Sequence, residues 1–114
     1  MDKYLVLDTV VPAVTLVNQE YYAVDSEGAK TTTLGQWAKG VVSEGHVADE
    51  GSVIVIHGEC TAKVFGADSN VSKDDALCAG SAGVFKKATV GTHDVRAYAL
   101  EDVTTDTTAL IFLN

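Results

Sequence analysis

The sequence predicts an all-β domain: a small β-barrel or sandwich-like (β-tulip-like) fold of short strands, built from two similar β-units with little helix. Three observations carry this. Val, Thr and Ile supply 32 of the 114 residues, and these branched side chains favour pleated surfaces over helices. The ten glycines are scattered between short apolar runs, where they mark turns, and there is one proline, Pro12. No stretch of about twelve residues shows the 3.6-residue apolar period of an amphipathic helix. A chain of this length forms one domain with a core of its own.

The elements follow in order. Tyr4-Leu5-Val6-Leu7 is extended and ends at Asp8-Thr9; residues 13–17 form a second extended run after Pro12. Residues 21–24 stop at Asp25-Ser26-Glu27-Gly28, a strong turn signal. Residues 31–34 and 36–42 are further extended segments, and the polar stretch 43–52, with Gly45 and Gly51, is loop. Val53-Ile54-Val55-Ile56 is the clearest buried strand, with four β-branched residues and no charge. His57-Gly58-Glu59 is expected to turn or bulge it, and residues 60–65 resume an alternating pattern. Gly80-Ser81-Ala82-Gly83 has the look of a hairpin tip between residues 76–79 and 84–90. Ser72-Lys73-Asp74-Asp75 resembles a helix-capping pattern, but Gly80 follows too soon for a helix, so a turn is expected. Residues 95–100 and 109–113 close the chain.

An internal echo links the halves. Shifted by 57 positions, residues 42–56 fall on residues 99–113; Glu44 meets Glu101, Asp49 meets Asp106 and Ile54 meets Ile111. Both segments are strand, acidic loop, buried strand, and a matched loop length fixes hairpin register.

Composition excludes several function classes. A net charge of −8 opposes a phosphate backbone, and the eight cations form no cluster, so no nucleic-acid partner is expected. No run nears the roughly 18–20 apolar residues of a membrane helix, and no secretory leader is recognised, so no membrane is expected and synthesis in a reducing cytosol fits. Two cysteines, Cys60 and Cys78, are too few for a disulfide scaffold. His57-x-x-Cys60 is one mixed pair where a structural zinc site needs two, so no metal is expected. The acidic pairs Asp49-Glu50, Asp74-Asp75 and Glu101-Asp102 sit in turns, and no nucleophile signature or phosphate-cradling loop occurs. The expectation is a non-enzyme without cofactors.

Tyr22-Ala-Val-Asp25, Gly28, Trp37-Ala-Lys-Gly40-Val-Val, the acidic loop and Val53-Ile-Val-Ile56-His-Gly58-Glu form one set of landmarks. Val71-Ser-Lys-Asp-Asp-Ala-Leu77, Gly80, Gly83, Lys87-Ala88 and Val95-Arg-Ala-Tyr-Ala-Leu-Glu101 form a second. Together, over residues 20–114, they resemble tailed-bacteriophage capsid decoration (cement) proteins and are similar to the phage lambda head decoration protein family. The chain is poorer in proline than the lambda type, and its second half matches the cement type better.

The resemblance implies a virion protein on the capsid exterior, made in the host cytoplasm. Such a protein is a homotrimer that binds the major capsid protein and stabilises the expanded icosahedral head by clamping neighbouring subunits. Residues 1–15 are then an extended arm adding a strand to a capsid sheet, with Tyr4, Leu5, Val6, Leu7 and Pro12 as contacts, and residues 16–114 the decoration domain. The rival reading makes this segment the domain's first strand. Trp37 and Tyr98 are the expected subunit-interface aromatics. Two other functions stay open: another phage structural part, such as a tail or head fibre, or a small β-barrel ligand-binding protein, which needs a deep apolar pocket.

Overall fold

One 14-residue strand belongs to both layers of the molecule. The computed structural model describes residues 5–67 and 70–114, and the expected all-β class holds. Its strands are β1 (Val6–Val10), β2 (Ala23–Val24), β3 (Gly40–Glu44), β4 (Ser52–Phe65), β5 (Ala76–Ala79), β6 (Phe85–Lys87), β7 (Ala97–Ala99) and β8 (Asp106–Leu113). The first half of β4 is flanked by β1 and β3, with β2 beyond β3, all antiparallel. Its second half closes a five-stranded barrel in the order β4-β6-β5-β7-β8 and back to β4. The one parallel contact of the barrel is Val64 against Phe85, where β6 meets β4.

The two apolar runs expected around His57-Gly58-Glu59 are therefore one strand, and the feature between them is a bulge. Val55 faces the barrel core, and so do Ala62 and Val64. An unbroken two-residue alternation cannot place residues 55 and 62 on the same side, so one extra residue has been inserted. The β1 register records it: Val6 pairs with His57 but Leu7 with Val55. Gly58, at φ 106°, takes a left-handed conformation that a side chain would resist.

The internal echo is a repeat of hairpin register. In β3–β4, Val42 pairs with Ile54 and Val41 with Val55; in β7–β8, Ala99 pairs with Ile111 and Tyr98 with Phe112. Each second pair is the first displaced by 57 positions. The tip at residues 80–83 is also as expected, joining β5 to β6 through a 3₁₀ turn, Ser81–Gly83.

Two packed clusters result. Phe85, Leu77, Ile111, Leu113 and Val64 fill the barrel, with Ala62, Ala79, Ala97, Ala99 and Ala109 letting five strands close tightly. Val10, Leu16, Val24, Val42 and Ile54 form the second cluster on the other face of the β1–β4–β3 layer. Residues 13–17, expected to be extended, are irregular; Leu16 anchors them there, its N–H donating to His46 O at 2.8 Å. Residues 31–34 form a loop instead of a strand, because Gln36 Oε1 accepts the N–H groups of Thr32 and Thr33, both at 2.8 Å.

For the N-terminal segment, the structure contains the strand: residues 6–10 pair with β4, and Val10 belongs to the second cluster. Residues 1–4, including Tyr4, lie outside the described residues. Ile54 and Ile111 sit at equivalent positions in different clusters. Truncating either to Ala is expected to cost about 2–5 kcal/mol in urea unfolding; losses under about 0.5 kcal/mol at both would contradict the paired-hairpin account.

Candidate interaction surface

The residues that carry chemistry in the sequence do not converge. Among the described residues no group of three or more His, Cys, Asp or Glu is placed to hold a metal ion. His57 packs edge-on against Phe112, ring centroids 5.5 Å apart, whereas Cys60 packs on the barrel core, so the His57-x-x-Cys60 spacing points to two sides of the sheet. Both cysteines are free thiols. Burial pushes the Cys60 thiol up to about 12 and also raises that of Cys78, so neither is a nucleophile near neutral pH.

The acidic loops are staples for main-chain donors. Asp75 Oδ2 accepts Ser72 N–H at 2.8 Å, Asp102 Oδ1 accepts Lys73 N–H at 2.8 Å, and Glu101 Oε2 accepts Leu110 N–H at 2.9 Å. This is the shape of turns held by local side chains, not of paired acids across a cleft.

What the fold presents to a partner is an edge and a face. β1 pairs with β4 alone among the described strands, so its other side is a free sheet edge. Leu5 and Leu7 are exposed on it, Leu7 at 55 %. Asp8 moderates the edge: its carboxylate accepts the Thr9 N–H at 2.8 Å and pairs with Lys39 at 3.2 Å. Those two contacts, the Thr9 N–H foremost, hold its pKa below the ordinary carboxylate value. An open groove of about 600 Å³ lies beside this strand, lined by Thr9, Val10, Val11, Val14, Glu27 and Lys39 among others.

The face lies on the outside of the barrel. Tyr98, Phe112 and Glu59 form one row across β7, β8 and β4, and Leu110 and Thr61 belong to the next. His57, against Phe112, continues it to β1, where its partner is Val6. Tyr98 and Leu110 are each 41 % exposed. Trp37 is also at the surface, 53 % exposed, its ring 4.8 Å from the guanidinium carbon of Arg96.

Arg96, which the sequence did not single out, is only 2 % exposed. Its Nε donates to Ala38 O at 2.6 Å, Nη1 to Asn114 O at 2.7 Å, and Nη2 to Lys39 O at 2.8 Å and Ile56 O at 2.7 Å. No Asp or Glu side chain pairs with it among the described residues. Burial lowers its basicity, but an Arg keeps its proton.

Of the expected contact residues, then, Leu5 and Leu7 are exposed and Val6 is half-buried. Pro12 is interior: it packs on Gly28, where a Cβ would lie 2.8 Å from the proline Cβ, and its carbonyl accepts Asp49 N–H. Trp37 and Tyr98 are both at the surface.

No protein-family model and no curated protein matches the sequence. Among solved structures, the crystal structure of the head fibre gp8.5 N base in bacteriophage phi29 is similar, with a TM-score of 0.52 and 14 % identity. The match covers 97 % of this chain and 95 % of that one, so the two share a fold from end to end.

Two outcomes follow from the buried groups. Arg96→Met leaves buried carbonyls without their donor and is expected to cost about 3 kcal/mol or more in denaturant unfolding; a loss under about 1 kcal/mol would show that the bonds matter little. For Cys60, the unfolded thiol ionises near pH 9.0 while the folded one stays protonated to about 12, so its contribution is complete below 9.0 and is lost as pH rises through that window. Unfolding free energy should therefore fall between about pH 8 and about pH 10.5, and fall less in Cys60→Ala. Equal slopes in the two proteins would contradict the burial of this thiol.

Proposed function

We propose that this chain is a structural protein of a phage virion, bound to the outer surface of an icosahedral head, where it stabilises the expanded shell by clamping neighbouring capsid subunits. The observation that carries the reading is the fold likeness to a phage head fibre base, which runs the length of both chains. The surface supports it: a free strand edge beside an aromatic face is equipment for binding protein, with no assembled catalytic or metal centre among the described residues.

In this reading the partner is the major capsid protein, and the β1 edge takes an extended capsid segment as a further strand. Main-chain bonds supply affinity, and the groove beside Val10 and Val14 supplies side-chain selectivity. At −8 the chain favours a basic counterpart and repels its own copies at long range.

The same likeness favours a second reading, the base domain of a head fibre. The two differ in copy number. A decoration protein covers the shell, whereas a fibre base is restricted to the attachment points of fibres. Quantitative mass spectrometry of purified parent virions separates them by the ratio of this chain to the capsid protein.

Co-sedimentation with expanded heads of the parent phage, prepared without this protein, tests attachment. Wild-type protein is expected to pellet with the heads. Leu7→Asp, at an exposed edge position, is expected to bind at least tenfold more weakly with an unchanged melting temperature. Undiminished binding by Leu7→Asp would remove β1 from the contact, and failure of the wild type to bind would remove the head-binding reading.

A further inference from the structure

The outer face of the barrel carries a polar group that the fold leaves unanswered. Glu59 Oε2 is buried and has no hydrogen-bond partner among the described residues. A buried carboxylate oxygen without a donor is costly, and native structures seldom retain one without a use. Its position is defined by the strand pairing: Glu59 lies opposite Phe112, which lies opposite Tyr98, and Cys60 next to it turns to the core. Glu59 therefore stands on the outer side of the barrel, in one row with Phe112 and Tyr98.

We infer that this face is a docking site for an arginine or lysine side chain set among apolar residues of a partner protein, the half-buried Glu59 turning its carboxylate outward to receive the cation. An aromatic surround with one carboxylate is the composition of an interface hot spot, where exclusion of water strengthens the charge-assisted bond. Arginine suits it best, since its plane also stacks on Tyr98 or Phe112.

The chain's own charges argue that the partner is a different protein. Lys39 pairs with Asp8 and Lys87 with Asp75. Lys30 and Lys63 both lie over the ring of Tyr22, at 4.6 and 5.7 Å, and Arg96 is enclosed by carbonyls. Lys86 is also engaged. Lys73 is exposed, but a second copy carries a net charge of −8, so a basic surface of another protein matches Glu59 better than another acidic chain does. This inference rests on the virion reading for its partner, a subunit of the head. Because His57 on this face pairs with Val6, the face and the β1 edge form one continuous contact surface.

The test uses purified full-length protein and the same expanded heads. Glu59→Gln keeps the shape and removes the charge; Tyr98→Ala removes the exposed ring. Val47→Ala is the control, exposed in the β3–β4 loop roughly 20 Å from Glu59 along β4. With melting temperatures within a few degrees of wild type, Glu59→Gln and Tyr98→Ala are each expected to weaken head binding at least tenfold, and Val47→Ala less than twofold. Wild-type binding that survives both substitutions overturns this inference and leaves the virion reading standing. No wild-type binding overturns both. Sedimentation equilibrium of the free proteins covers the remaining occupant: a wild-type oligomer that Tyr98→Ala dissociates would assign the face to a second copy and overturn the inference.

Discussion

The fold depends on β4 serving two sheets at once, and on the guanidinium that fastens the point where it passes between them. A strand crossing from an open layer into a closed barrel must change which residues face the core. The bulge beside Gly58 makes that change. Arg96 sits at the seam: it comes from the run into β7 and grips Ile56 on β4, Ala38 and Lys39 leading into β3, and the main chain at Asn114 beyond β8. Three segments distant in sequence are tied to the run into β7 by one side chain. A cation satisfied by carbonyl dipoles and by the face of Trp37 needs no buried carboxylate.

The parts legible in the sequence are those that local pattern determines. The uncharged run at residues 53–56 marked the start of the central strand, and the 57-residue echo marked two hairpins whose pairings, Val42–Ile54 and Ala99–Ile111, share one register. The glycines at residues 80 and 83 marked a tip. Where pattern was ambiguous, tertiary structure decided. A glycine after a strand serves a turn or a bulge equally well, so His57-Gly58-Glu59 did not disclose that β4 continues. Pairing of β1 with β4 is a long-range choice with no local signature.

The interaction surface was less legible for a related reason. Tyr98 stood out as an aromatic, but nothing local connects it to Phe112, His57 or Glu59, which strand register brings alongside. Arg96 was invisible because its partners are main-chain oxygens, which carry no residue identity. The acidic pairs were conspicuous, yet Asp75, Asp102 and Glu101 are taken up by main-chain N–H groups.

The proposed function puts this domain on the outside of a phage head, with the β1 edge and the Tyr98–Phe112–Glu59 face turned toward the shell. Electron cryo-microscopy of the parent virion, compared with virions lacking this chain, tests it most directly. The account predicts density for the domain on the outer head surface, with capsid main chain running beside β1 and a basic capsid side chain at Glu59. Density in the tail, or a domain seated on the head by the opposite end at the β3–β4 loop, would contradict it.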